Sequence, residues 1–250
     1  MDRPVEKQHE LLVRELFDAK ADSWSDKYSE VFQHRLRLFL SDLEATIPAG
    51  SRILDFGCGS GDLFLALAHQ GHQVLGVDTS PQMIQQAEKR LQESGLSGQL
   101  VCGTLDEVDE NLVDFDAIIC SSVIEYLWNP EQVMQTLSLR LGSTGFLLLT
   151  VPNRQSRFRQ RERWLATIGP FLQKLPLPDR VRRYLRYTET SKNHYTPEEL
   201  ESLANSAGYH IDFWSYFDPR RGNKDQTLCA SADFIFARLK LKTSARKTCT

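Results

Sequence analysis

Asp55 and Asp78 draw attention because of what stands around and between them. Asp55 ends the apolar pair Ile53-Leu54 and opens a stretch, ILDFGCGSGDL, in which Gly57, Gly59 and Gly61 fall on alternate positions. An apolar run, a glycine-rich turn and the amphipathic LFLALAHQ read as strand, tight loop and helix. Glycines at such a turn let the backbone pass under a ligand where a Cβ would collide. Asp78 comes 19 residues after Gly59, at the end of a second apolar run, Val74–Val77. An open α/β sheet puts an acid there to take ribose hydroxyls, and Thr79 beside it is a further binding candidate. A dinucleotide fingerprint would run G-x-G-x-x-G and rest a pyrophosphate on the helix N-terminus. Here the third glycine arrives one position early, and the carboxylate of Asp55 at the loop mouth repels phosphate. It suits a ligand that carries an ammonium and a sulfonium.

S-adenosylmethionine (SAM) has both charges and no phosphate. At this point the chain resembles the class I SAM-dependent methyltransferases, whose first motif is an acidic residue, one further residue, then G-x-G-x-G. The resemblance covers about 50–151 strongly and 196–239 more weakly. It implies a Rossmann-like, doubly wound α/β sheet of seven strands in the order 3-2-1-4-5-7-6, strand 7 antiparallel. It also implies that Asp55 holds the methionine ammonium through water, while Gly57, Cys58, Gly59 and Gly61 line the methionyl and ribose region. Met83 is similar to the family residue that packs on adenine, and reads equally as a core methionine. Where relatives read the adenine amino group with an acid, this chain has Gly103-Thr104-Leu105. Thr104 can accept one hydrogen bond there, and the Leu105 N–H can meet a ring nitrogen. Ser121 and Ser122 fall where relatives approach the sulfonium. Glu125-Tyr126 stands in place of the glutamate-histidine of quinone-biosynthesis O-methyltransferases. With the histidine gone no ligand set is complete, so no metal is expected. Glu125 reads first as a structural acid bonding local backbone.

Methyl transfer from a sulfonium mainly requires alignment, and a general base only where the acceptor is a hydroxyl. His194, in SKNHYTPEEL, is the candidate base, next to Tyr195; the bland alternative is a lone surface histidine. Tyr195, Trp24 and Tyr28 either wall the pocket or belong to the core. Between Arg154 and Arg186 stand ten Lys or Arg against two acids, Glu162 and Asp179, together with Phe158, Trp164 and Phe171. A basic, aromatic-bearing segment in a chain of net charge −3 suggests an anionic partner or a membrane surface. The expected acceptor is therefore a small molecule, glycan or lipid-linked compound, anionic in one version, methylated on oxygen with S-adenosylhomocysteine (SAH) as product. A solvated basic lid is the alternative for the segment. Nucleic acid is not expected, since no RNA-binding pattern accompanies the arginines. Two other functions stay open: transfer to a protein or tRNA nitrogen, and a scaffold that keeps the fold without catalysis. Against the first, SSVIEYLWNP lacks the N/D-P-P-Y signature; against the second, Asp55, the glycines and Asp78 are intact.

The elements that must position these residues follow from periodicity. Residues 1–50 read as an N-terminal cap of two helices, with Phe32, Leu36, Phe39, Leu40 and Leu43 as an apolar stripe. Residues 51–153 form the SAM-binding core, with strands at Gln73–Val77, Gln99–Cys102 and Phe115–Cys120 and a helix starting at Ser80-Pro81. A helix over about 130–141 leads through a turn at Gly142 and Gly145 into FLLLTVP, an apolar run fit for a strand covered on both faces. Residues 154–195 make a basic helical lid. Residues 196–240 return to the sheet, with a helix capped by Thr196 and a terminal hairpin around DPRRGNKDQ. Residues 241–250 read as a disordered tail. At 250 residues, 41% hydrophobic and 25% charged, this is one catalytic-size domain with room for an insertion. No run is long enough to span a bilayer, and the charged N-terminus lacks a secretion signal. The five cysteines are odd in number, scattered and without a C-x-x-C pair, which favours free thiols. The expected location is cytoplasmic, with peripheral membrane contact as an added reading.

Overall fold

Strands whose successive side chains point to opposite faces need apolar cover on both sides, and this chain supplies it with helices. The computed structural model describes residues 3–21, 29–172, 176–219, 222–224 and 232–242. Its strands are β1 (Arg52–Phe56), β2 (Gln73–Asp78), β3 (Gln99–Cys102), β4 (Phe115–Ser121), β5 (Leu141–Pro152), β6 (Tyr209–Asp218), β7 (Gly222–Lys224) and β8 (Phe234–Leu241). They form one sheet in the order β3-β2-β1-β4-β5-β8-β6-β7. β1 to β5 pair in parallel, and β8 runs antiparallel to both β5 and β6. Without the three-residue edge strand β7, this is the 3-2-1-4-5-7-6 sheet implied by the resemblance.

The helices are α1 (Arg3–Asp18), α2 (Ser29–Thr46), α3 (Asp62–His69), α4 (Pro81–Ser94), α5 (Pro130–Ser138), α6 (Arg157–Leu172), α7 (Asp179–Thr190) and α8 (Pro197–Ser206). Alternate residues of β5 separate two cores. Leu147, Leu149 and Val151 pack with Met134 and Leu137 of α5 and Leu200 and Ala204 of α8. Phe146 and Leu148 pack with Phe39 and Leu43 of α2 and Phe64 and Leu67 of α3. The caps follow the sequence: Ser80 Oγ accepts the Met83 N–H at 3.1 Å, and Thr196 and Glu199 form a capping box.

Three details depart from the sequence reading. The helix over 130–141 stops at Ser138, and β5 already begins at Leu141 and runs through Gly142 and Gly145 without a turn. A register shift makes this work: Phe115 faces Leu141 but Ala117 faces Phe146, and a Cβ on Gly145 would come within 2.5 Å of the Phe115 carbonyl oxygen. Part of the polar loop before β8 forms β7 on the edge of β6. Leu241, assigned to the tail, is the last residue of β8. Residues 243–250, Trp24 and Tyr28 lie outside the described residues, as do Lys174 and the side chains of Arg180, Arg183 and Arg186. Among the described residues no helix is long and apolar enough to cross a membrane.

Candidate active site

The carboxyl ends of β1, β2 and β4 open into one cavity of about 2170 Å³, at the place where ligands bind in open α/β sheets. Asp55 ends up there because it stands next to last in β1, before the glycine turn into α3. Its side chain is 1% exposed and its Oδ2 makes no hydrogen bond. Burial, then the charge of Asp78, push its pKa up to about 7, against an opposing hydrogen bond from the Phe64 N–H. Gly57 has φ 77°, and a Cβ there would strike Val123 Cγ2 at 2.3 Å. Gly59 has φ 53° and faces open space. Its N–H donates to Asp78 Oδ2 at 2.9 Å, and the Ser80 N–H donates to Asp78 Oδ1 at 2.9 Å. Each oxygen keeps a lone pair for a ligand hydroxyl. That link between loop and acid is not visible in the sequence spacing.

Cys58, Thr79, Met83, Thr104, Leu105, Ser121 and Ser122 line the same cavity with Asp55, Gly57, Gly59 and Asp78. Met83 is buried but belongs to neither core cluster, so it serves the cavity wall. The Thr104 hydroxyl donates to Glu107 at 2.8 Å, which leaves its oxygen able to accept one bond. Ser122 takes a left-handed φ of 59°, and its N–H is held by Thr150 Oγ1 at 3.0 Å. Gly61 sits behind the loop as the N-cap of α3, packed on Ala87.

A family model described as a methyltransferase domain matches residues 28–212. The chain belongs to this methyltransferase family. Similar proteins include a ubiquinone biosynthesis O-methyltransferase of Chromobacterium violaceum, 29% identical over 197 residues, which covers 77% of this chain and 80% of that protein. Another of that name, from Xylella fastidiosa, is 27% identical over 213 residues, covering 83% and 82%. Among solved structures, the SAH-bound magnesium protoporphyrin IX methyltransferase of Synechocystis superposes with a TM-score of 0.64 at 17% identity, covering 92% of this chain and 99% of that one. The protein is a SAM-dependent methyltransferase. Its residues fit the cofactor: an unpartnered buried carboxylate oxygen suits the ammonium, and the open space at Gly59 is where a Cβ would intrude. Bound SAM supplies a methyl group activated by its sulfonium.

Past Ser122 the methyltransferase cavity continues to a second buried acid. Glu125, in the one-turn helix Ile124–Tyr126, is 2% exposed. One carboxyl oxygen takes its own N–H, so the capping reading holds in part, but Oε2 has no partner and the group lines the cavity. Burial pushes its pKa up to about 7, while its own N–H, Arg159 and Arg35 act in the opposite direction. Two guanidiniums beside Glu125 also disfavour a cation. Among the described residues no three His, Cys, Asp or Glu come together to hold a metal.

α1 roofs the site. His9 Nε2 lies 2.8 Å from the Tyr126 carbonyl oxygen, Phe17 meets the Tyr126 ring edge-on at 5.1 Å, and Asp18 accepts from Ser80 Oγ at 2.5 Å. Lys20 lies 4.8 Å over the Tyr187 ring. His194 and Tyr195 are elsewhere: neither lines the cavity. His194 is buried 3.3 Å from Ser191 Oγ, its Nδ1 unpartnered. Burial, then Arg159 and Arg163, drive its pKa down to about 3, which leaves it neutral and weakly basic. Tyr195 pairs its backbone with Asn153 and packs on the core under β5. The surface reading of His194 gives way to burial, and Tyr195, half-buried against the core, takes the core reading over the pocket one. The residues missed by sequence reasoning are Arg35, Tyr187 and His9. Arg159 was legible only as one of the ten basic residues of the insertion, although Arg159 and Glu162 stand at the i,i+3 spacing of a helical ion pair.

Proposed function

We propose that the enzyme methylates a hydroxyl oxygen of a small or lipid-linked acceptor, with Glu125 as the general base. One observation carries this reading. Glu125 lines the cavity that also holds Asp55, keeps one buried carboxyl oxygen without a partner, and has a pKa near 7 where a base works best. The names of the ubiquinone biosynthesis O-methyltransferases it resembles support oxygen as the acceptor atom. A cavity of about 2170 Å³ exceeds the 300–1,000 Å³ typical of small-molecule sites, which leaves room for a bulky acceptor beside the cofactor.

The acceptor is delivered from a membrane surface, with α6 and α7 as the lid. α6 exposes Trp164 (63%) and Phe171 (71%) among exposed Arg157, Arg161 and Arg163, a pattern that suits the interface of an anionic bilayer. Co-sedimentation with anionic vesicles tests this: the wild type is expected to pellet and Trp164→Ala/Phe171→Ala to stay in the supernatant. Equal behaviour of the two would remove the membrane from the proposal.

The test of the central reading is transfer of labelled methyl from SAM to a panel of phenols and catechols by the wild type and Glu125→Gln. A loss of roughly 10²–10⁴-fold in kcat, with SAH affinity unchanged, is the expected result. The wild-type rate should rise with pH through about 7 as Glu125 ionises. A variant that keeps both its rate and that pH limb would refute the base assignment.

A further inference from the structure

The acceptor end of the cavity holds a second charged group that proton transfer to Glu125 leaves unexplained. Arg159, in the first turn of α6, is 4% exposed and yet lines the cavity. Its Nε–H reaches the Asp233 carbonyl oxygen at 3.4 Å. Its Nη1 donates to Glu162 Oε2 at 2.6 Å and to the Tyr187 hydroxyl at 3.4 Å. The guanidinium carbon lies 4.4 Å from the centre of the Phe234 ring. Nη2, with two N–H donors, makes no hydrogen bond to any described residue.

A buried guanidinium is costly, and here burial does oppose the charge. Tyr187 and Glu162 more than offset it, so the group stays protonated. A purely structural role, the stapling of α6 to α7, would use Nη1 and its contact with Tyr187. It gives no account of an amino group kept inside a cavity without an acceptor. Such a group is a fixed donor aimed where negative charge can develop, in surroundings where water screens little. Arg35, 5.3 Å from the same Phe234 ring, adds a second positive charge on that side, and Glu125 lies close enough for both to act on it.

Resting on the O-directed reading above, we propose that Arg159 is a catalytic residue that binds the acceptor oxygen through Nη2 and holds it as an oxyanion once its proton has left. The acceptor O–H bond breaks with its proton passing to Glu125 Oε2. The oxygen's electron pair forms the new C–O bond while the S–CH3 bond breaks and leaves its pair on sulfur. The negative charge that leaves Glu125 and the positive charge that leaves sulfur cancel. Arg159 exchanges no proton, and a guanidinium is the side chain that cannot lose one. Arg159 makes a weakly acidic hydroxyl easier to ionise, and Glu125 takes the proton away; the two roles are separable.

That separation gives the test, which needs no turnover. 4-Nitrophenol absorbs differently as phenol and phenolate, so its ionisation can be titrated while it is bound to the enzyme–SAH complex. An opposite charge within contact range shifts such an ionisation by one to three pH units. In the wild type the bound probe is expected to ionise roughly ten- to a thousandfold more readily than free probe. In Arg159→Met it should return to the free value, and in Arg159→Lys fall between. Removing one member of a buried pair leaves the other charge stranded, so Arg159→Met/Glu162→Met is measured beside the single variant and should show the same loss. Glu125→Gln should keep the enhanced ionisation while losing transfer. A wild-type complex that does not bind the probe, or binds it with unshifted ionisation, overturns the assignment. So does a shift that persists in both methionine variants. If instead Glu125→Gln keeps full transfer activity, the base assignment falls, and the probe titration still decides Arg159.

Discussion

Asp55→Asn should make the protein without cofactor more stable and its cofactor binding weaker, both in a pH-dependent way. The carboxyl of Asp55 has a pKa of 3.8 in an unfolded chain and about 7 in the folded one, raised by burial, then by Asp78 and Asp62 against the Phe64 N–H. Between those values the folded state binds the extra proton, so stability falls as pH rises through this window. The full penalty is present above about pH 7. At about 1.4 kcal/mol per pH unit it amounts to about 4 kcal/mol. Asparagine keeps the shape of the protonated acid and carries no charge at any pH. The variant should therefore come close to the wild type at about pH 4 and below and melt higher at pH 8. For a chain of 250 residues the difference in midpoint is roughly 8–16 °C. The cofactor reverses the ranking. An ammonium group placed against Asp55 favours its ionised form, so binding releases a proton below pH 7, and SAH affinity falls about tenfold per pH unit as the solution is acidified. Asp55→Asn should flatten that dependence and weaken SAH at pH 8 by roughly 10–100-fold, the worth of one lost charge-assisted bond. Thermal melts at about pH 4 and pH 8, with and without SAH, and calorimetry in two buffers of different ionisation heat read all of this. Equal midpoints at pH 8 together with unchanged SAH affinity would refute the reasoning.

Arg140 joins the start of β5 to the loop that Leu105 opens at the cavity wall: Nη1 donates to the carbonyl oxygens of Asp109 (2.5 Å) and Leu112 (3.2 Å), Nη2 to those of Leu105 (3.3 Å) and Val108 (3.1 Å). Arg140→Met should cost about 1.5–3 kcal/mol in urea unfolding and raise the Kd for SAH severalfold, with faster amide exchange confined to 104–113. His194→Gln should leave SAH affinity and the pH profile of transfer unchanged, because the imidazole is already neutral above about pH 3 and stands off the cavity; a lost alkaline or neutral limb in the rate profile would return it to the active site.

The end of the cavity between Asp55 and Asp78 was legible because its information is local. Asp55, the three glycines and Asp78 lie within one strand–loop–helix–strand unit, whose two strands pair and end together at the carboxyl edge of the sheet. The sheet order was legible only through family resemblance, since nothing in the period of an apolar run tells β8 to enter between β5 and β6. The acceptor half is assembled from distant parts. His9 meets Tyr126 across 117 positions, and Arg159 meets the Asp233 carbonyl oxygen across 74. A pattern reader sees a helix with a histidine and a lid with ten basic residues, and cannot see that one side chain of each turns inward. His194 fails for the same reason in reverse. It precedes a well-signalled helix, but the backbone pairing of Tyr195 with Asn153 turns the segment into the wall, so the ring packs behind Ser191.

Glu125 shows what physical evidence adds to position. In sequence it is one acid in an apolar stretch, and bonding to local backbone is the natural reading. In the fold it shares a cavity with Asp55, and these two carboxylates are both nine-tenths buried or more, both short of a partner on one oxygen, and both raised to about 7. An isolated protein gains nothing from either, since each charge is held out of water without a full set of hydrogen bonds. The arrangement makes sense only with ligands in place. In the function proposed, Asp55 meets a cation that stays, and its pKa drops on binding. In the same proposal Glu125 meets a proton that must leave its acceptor, and its pKa stays near neutrality with Arg35 and Arg159 keeping it from rising further. On that proposal two acids of similar burial serve opposite ends of one transfer, one made to ionise on binding and one kept ready to be protonated.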